Sequence, residues 1–156
     1  MTAAEQLAYL QSKQAVKDGL AYLDQLMWLS KIIDGKAETL AALREQNARI
    51  RQALGQPPEE NPEELRPILE ELSADYRELL RLRQDIINRI QAVPHPIQRA
   101  VLEMHYVGGM KFYQINMQLH YESNAIYHLR NEGARHVALQ LLQAGVITHV
   151  SEQARA

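Results

Sequence analysis

The chain has 156 residues and no cysteine, which excludes disulfides, thiolate metal sites and cysteine nucleophiles. Its 17 Lys and Arg stand against 19 Asp and Glu, and this formal net charge of −2 gives no overall signature of a polyanion-binding protein. The acidic residues concentrate between positions 59 and 93, whereas residues 94–156 carry five basic and four acidic residues and are close to neutral.

The N-terminal part of the chain is predicted to form two amphipathic helices. A capping box at Thr2 and Glu5 opens the first helix, and Asp34-Gly35 is predicted to end or bend it. The second helix, at about residues 37–54, has apolar residues at alternating intervals of three and four, and Asn47 stands at the one position of this series that is not apolar. This coiled-coil-like seam contains one polar residue, which can fix register or partner number. Its apolar members are Leu40, Leu43, Ile50 and Leu54.

A third, long helix is predicted from Asn61 to Val93. Asn61 is a favourable N-cap, and Pro62 suits the first helical position. Pro94 ends the helix because proline lacks an amide and disfavours helical geometry in the residue before it. Residues 1–93 are therefore predicted to be a helical self-association region, followed by a domain at 94–145 and a tail at 146–156.

Three shorter helices are predicted between residues 98 and 142. The first ends at Gly108-Gly109, the second covers about 112–119, and the third begins at Ser123 after a turn-length gap. Two short helices joined by a short turn and braced by a preceding helix form the outline of a helix-turn-helix. The predicted fold is all-α, with an N-terminal long-helix hairpin or bundle and a C-terminal three-helix domain. The inward positions of the first and third helices are Val101, Leu102, Tyr106, Val107, Ile126, Leu129, Val137 and Leu141.

The region from 98 to 135 resembles region four of bacterial sigma factors and the small phage regulators related to it. The nearest resemblance is to the ArpU/RinA-type phage transcriptional regulators, which also begin with a similar helix and carry a long charged helix before the helix-turn-helix. The chain departs from the pattern at Lys111, Asn116, His120 and Glu122. The resemblance implies a cytoplasmic transcriptional regulator from a phage or prophage. The matching residues are Val101-Leu102, Tyr106-Val107, Gly109, Phe112, Ile115, Leu119, Tyr121, Ile126-Tyr127 and Leu129.

If the third helix enters a major groove, the outward residues of its N-terminal part should meet base edges. Asparagine can pair bidentately with adenine, and histidine or tyrosine can bond to bases or phosphates. The candidate base-contacting residues are Ser123, Asn124, Tyr127, His128 and Asn131, and the candidate phosphate-contacting residues are Lys111, Arg130 and Arg135. The alternative interpretation of this face is an ordinary solvated surface of a helical bundle.

Catalytic, metal and cofactor functions are not predicted. His128, Glu132 and His136 share one helical face, but the rise of the helix separates the outer two by about 12 Å, too far for one ion. The sequence has no phosphate-binding loop, no nucleophile-elbow motif and no metalloprotease motif. No run approaches the roughly 18 apolar residues of a membrane span, so no membrane partner is expected.

The expected partners are double-stranded DNA and a second copy of the chain, or a higher homo-oligomer, with RNA polymerase as a further candidate. The small number of basic residues in this region predicts few phosphate contacts, so a dimer or a polymerase would have to supply part of the affinity for DNA. Two rival functions stay open. One is a protein-interaction module that docks the same helices on RNA polymerase or a host factor, and the other is the DNA-recognising small subunit of a phage packaging machine.

Overall fold

The computed structural model describes residues 1–57 and 66–148, and every regular element among them is helical. The predicted all-α class is therefore confirmed. A π-helical segment, Glu103–Val107, directly continues the fourth helix. The α-helices are α1 (Ala3–Leu10), α2 (Lys13–Ala53), α3 (Arg66–Gln91), α4 (Pro96–Leu102), α5 (Phe112–Leu119) and α6 (Ser123–Gln143). None of these helices is both long enough and apolar enough to cross a membrane.

The first two helices divide at a different place from the one that the sequence predicts. The Thr2–Glu5 capping box is confirmed, with the Thr2 amide 2.8 Å from the Glu5 carboxylate. The break, however, lies at Gln11-Ser12, where Ser12 Oγ accepts from the Ala15 amide at 3.2 Å and so caps α2. The predicted end at Asp34-Gly35 is wrong, because α2 continues through it to Ala53. A helical glycine costs only about 1 kcal/mol relative to alanine, which a helix of this length tolerates.

The long third helix agrees with prediction where it is described. The predicted start at Asn61-Pro62 and the end of the tail lie outside the described residues. At its other end α3 finishes at Gln91, and Val93 is fully buried. His95 then caps α4, its Nδ1 accepting from the Gln98 amide at 3.4 Å.

The chain forms two compact units. The first contains residues 1–27 and 85–156, and the second contains residues 28–84. The predicted boundary after Val93 remains a prediction about independently folding domains.

Helix α6 lies at the centre of the first unit, where it contacts α1, α4 and α5. Its small residues allow close packing: a Cβ on Gly133 would come within 2.9 Å of Leu102 Cδ1, and a Cβ on Gly19 of α2 would meet the Ala134 backbone. The buried side of α6 comprises Ile126, Gly133, Ala134, Val137, Ala138 and Leu141. Of the inward residues predicted for this helix, Leu129 is only partly buried.

Two tyrosine–aspartate pairs brace this unit. The Tyr9 hydroxyl donates to Asp18 at 2.5 Å, and the Tyr106 hydroxyl donates to Asp24 at 3.4 Å. Burial, together with the neighbouring carboxylate, raises the pKa of both tyrosines well above the ordinary value. The phenols therefore stay protonated and hold α1 and the π-helical segment against α2.

The π-helical segment changes the phase of the predicted apolar stripe. The Gly108 amide donates to the Glu103 carbonyl at 2.9 Å, a bond that spans five residues rather than four. Val101, Leu102 and Tyr106 are buried as predicted, but Val107 is exposed. The prediction for Val107 was wrong because it assumed a constant period of 3.6 residues.

Among the described residues, the second unit consists of the C-terminal part of α2 and the first part of α3. Leu40 and Asn47 are buried along the predicted seam, together with Leu69 of α3. Ile50 and Leu54 are exposed instead, and Arg51 occupies the buried position at this end. These two members of the predicted seam are therefore not buried within the single chain.

Candidate nucleic-acid interface

Helices α5 and α6 are joined by a turn of three residues, His120 to Glu122. His120 adopts the left-handed conformation, with φ 59° and ψ 37°, and its amide donates to the Asn116 carbonyl at 2.9 Å. This conformation costs most residues about 1–2 kcal/mol, although histidine adopts it more often than most. His120 therefore makes this turn with a left-handed backbone that a glycine would adopt without strain.

Polar side chains tie the start of each helix to its surroundings. Asn116 Nδ2 of α5 lies 2.9 Å from Ser123 Oγ at the start of α6. The Gln114 side chain accepts from the Lys111 amide at 2.9 Å and so caps α5. Ser123, a predicted base-contacting residue, therefore also has a structural partner in the preceding helix.

Phe112 is the centre of an aromatic cluster that spans the turn. The His105 ring stacks on it with centroids 4.1 Å apart, and the Tyr127 ring packs at 4.8 Å. The Arg130 guanidinium lies 5.2 Å from the Phe112 centroid and 5.1 Å from that of Tyr127. These cation–π contacts fix two predicted site residues, Tyr127 and Arg130, relative to α5.

Arg130 also determines what Asn131 can offer a ligand. Arg130 Nε and Nη2 lie 3.1 Å and 3.0 Å from Asn131 Oδ1. The Asn131 carbonyl oxygen is thus already an acceptor for arginine, and its Nδ2 is the group left to donate.

Arg135 is bound by its own chain. Its Nη1 donates to the carbonyls of Leu10 and Ser12, at 3.0 Å and 2.5 Å, and its Nε lies 3.1 Å from Glu132. This guanidinium closes the turn between α1 and α2. Its predicted phosphate contact would compete with these three bonds.

The remaining predicted residues form an exposed surface at the start of α6. Ser123, Asn124, Tyr127 and His128 are exposed, and Lys111 is exposed at the start of α5. From Gly133 onward, one side of α6 is buried against the rest of the unit. The candidate site is therefore confined to the first turns of α6 and the start of α5.

The positive charge of this surface is small. Lys111 and Arg130 are its basic residues, and Arg135, farther along α6, is paired with Glu132. Among the residues that the structure describes, no group of three His, Asp or Glu side chains lies close enough together to hold a metal ion.

An exposed apolar patch on α5 was missed by the sequence analysis. Tyr113 and Met117 lie one turn apart on the outer side of α5 and, with Met110, line an open groove of about 510 Å³. Their spacing of four residues, out of phase with Phe112, Ile115 and Leu119, was the available signal.

Comparison of the chain with protein-family models, with curated proteins and with solved structures gives no significant match. The resemblance to sigma-factor region four therefore rests on the residue pattern itself.

Proposed function

We propose that the chain is a sequence-specific DNA-binding transcriptional regulator of phage or prophage origin. In this proposal α5, the turn and α6 act as a helix-turn-helix, and the first turns of α6 enter the major groove. The observation that carries it is the exposure of Asn124, Tyr127 and His128 on α6 directly after a three-residue turn, while the rest of that helix is anchored in the core.

The hydrogen bonds already made on α6 refine the expected base contacts. Asn124 has both its amide donor and its carbonyl acceptor to offer, as a bidentate contact with adenine requires. Asn131 gives its carbonyl to Arg130, so it suits acceptor atoms such as guanine N7 and O6 or thymine O4.

Lys111 and Arg130 are the cations best placed for phosphates. Lys111 is exposed where the amides of α5 begin, and a helix N-terminus attracts anions. Two phosphate contacts per chain would give a slope of about −2 in log affinity against log salt.

The test is DNA binding by the full chain, with fragments of its own genome in a salt series. Asn124→Ala/His128→Ala should weaken the selected site at least about 10-fold, since one good base contact provides about 1–3 kcal/mol of discrimination. Gln25→Ala/Gln118→Ala is the control, because these two exposed helical glutamines lie outside the candidate site. Absence of saturable binding at low salt by the folded protein, or equal effects of both double variants, would refute the assignment.

A protein-interaction module is the second candidate function. It would dock the same helices on RNA polymerase or a host factor, and the exposed Tyr113 and Met117 on α5 favour it. Loss of polymerase binding on Tyr113→Ser/Met117→Ser, with no DNA binding by the parent chain, would support this function over the first.

A further inference from the structure

The unit formed by residues 28–84 has an apolar stripe along each of its two helices. Trp28, Ile32 and Ile50 of α2 are 50, 39 and 56% exposed, and Ile68 and Leu82 of α3 are 48 and 38% exposed. In α2 these residues lie about 100° around the helix axis from the buried Leu29, Ile33 and Leu40. In α3, Ile68 and Leu82 lie about 110° and about 150° around the helix axis, in the same sense, from the mean direction of Leu69 and Leu80.

The two stripes lie on the same face of the unit. Tyr22 hydrogen-bonds to Arg89 and Lys36 lies 4.0 Å from Asp75, so α2 and α3 run antiparallel. In an antiparallel pair, offsets of the same sense from the contact line fall on one side of the pair. The opposite offset is occupied by Ala37, Ala41 and Arg44 of α2 and by Ser73 and Arg77 of α3, and these residues do line one shared groove. The stripes therefore form one surface, defined by Trp28, Ile32, Ile50, Ile68 and Leu82 and called here the apolar face.

We propose that the apolar face binds the apolar face of a second copy of this chain, forming a four-helix bundle. Two helices alone cannot enclose a core, and stable helical architectures cover each apolar side with another layer. In this unit the described buried apolar residues are Leu29, Ile33, Leu40 and Leu69, whereas five larger or equal side chains remain in solvent on the apolar face.

The exposed area exceeds the minimum that a specific interface needs. The five residues and their half-buried neighbours Leu72 and Leu79 leave roughly 400 Å² of apolar surface in solvent per copy. Homodimer interfaces are about 65% apolar, so two such faces correspond to a total buried area of about 1,200 Å². A specific interface needs about 1,000 Å².

The charges at the middle of the apolar face favour an identical partner. Lys36 Nζ and Asp75 Oδ2 lie 4.0 Å apart on this side of the unit. A two-fold axis parallel to the helices places α2 against α3 of the second copy, so Lys36 meets Asp75 of the partner subunit. The same rotation places Trp28 and Ile32 opposite Leu82 of the partner subunit, so apolar side chains meet apolar side chains.

The test uses Trp28 as its reporter, because it is the only tryptophan in the chain. The full chain should be a dimer by sedimentation equilibrium, and its tryptophan emission should shift to longer wavelength on dilution, with the same midpoint as the mass. Ile32→Glu/Leu82→Glu should raise the dimer dissociation constant at least about 100-fold, since it puts two carboxylates into the apolar contact between the copies. Helicity by circular dichroism should be retained.

Ala37→Glu/Ala74→Glu is the matched control. It changes one exposed residue on each helix and adds the same charge, but both residues lie away from the apolar face. It should leave both the mass and the emission unchanged. A monomer at every concentration, a ring-sized oligomer, or a dimer that survives Ile32→Glu/Leu82→Glu with constant Trp28 emission would each overturn the proposal.

Discussion

The crossing of α2 and α6 at Gly19 makes a sharp prediction about stability. A Cβ added to Gly19 would lie 2.0 Å from the Ala134 carbonyl oxygen and 2.6 Å from the Ala134 carbonyl carbon. Both atoms belong to the backbone of a buried helix, so relief requires the two helices to separate. Overpacking costs about 1–3 kcal/mol and occasionally more, whereas alanine gains about 1 kcal/mol over glycine in helix propensity. Because the overlap is severe, we expect Gly19→Ala to lower the free energy of unfolding by at least about 2 kcal/mol.

Urea denaturation followed by circular dichroism measures this change, and two other glycines provide the controls. Gly35 lies in the same helix with nothing within 4 Å of an added Cβ, so Gly35→Ala should stabilise the protein by about 0.5–1 kcal/mol. Gly133→Ala meets the Leu102 side chain, which can move, so its cost should be smaller than that of Gly19→Ala. Equal midpoints for Gly19→Ala and Gly35→Ala would refute the close crossing of α2 and α6.

Three further predictions concern single side chains. Tyr9→Phe should lower stability by about 1.5–3 kcal/mol at neutral pH. Because folding raises the pKa of the Tyr9 phenol, the protonated phenol stabilises the folded state below about pH 10, and this stabilisation is lost as the pH rises further. The stability of Tyr9→Phe should therefore fall less steeply above pH 10 than that of the parent chain. His120→Gly should raise the thermal midpoint because it relieves about 1 kcal/mol of left-handed strain, whereas His120→Val should lower it. Arg135→Ala should lower the urea midpoint by removing bonds to two backbone carbonyls, while Lys111→Ala should leave it unchanged and reduce the salt dependence of DNA binding.

The helical class and several helix ends could be predicted from the sequence because their causes are local. The Thr2–Glu5 box and the prolines at 94 and 96 act on neighbouring backbone groups, so their effects are visible in a short window. The same local rule gave the wrong break in α2. Gly35 carries a helix-breaking propensity, but α2 continues through it, whereas Ser12 caps a new helix that no apolar pattern signalled.

The packing of the first unit could not be predicted, because it depends on contacts between residues far apart in the chain. Nothing near Gly19 in the sequence indicates that Ala134 will lie against it, and a π-helical turn rotated Val107 out of the predicted stripe. The exposed start of α6 agrees with the predicted recognition surface as far as solvent exposure is concerned. Binding to DNA remains a prediction for all eight candidate residues.

The proposed dimer bears on the affinity of the candidate site for DNA. The sequence pattern does not distinguish Arg130 from Arg135, yet Arg135 is bound to the carbonyls of Leu10 and Ser12, which leaves Arg130 and Lys111 as the proposed phosphate contacts. A single chain is therefore left with few cations for phosphates, and its affinity for DNA should be low. Two copies joined through the apolar face would present two α6 helices, and the second would bind at the effective concentration set by the first. If both proposals hold, Ile32→Glu/Leu82→Glu must weaken binding to a two-fold DNA site while leaving binding to a half-site unchanged.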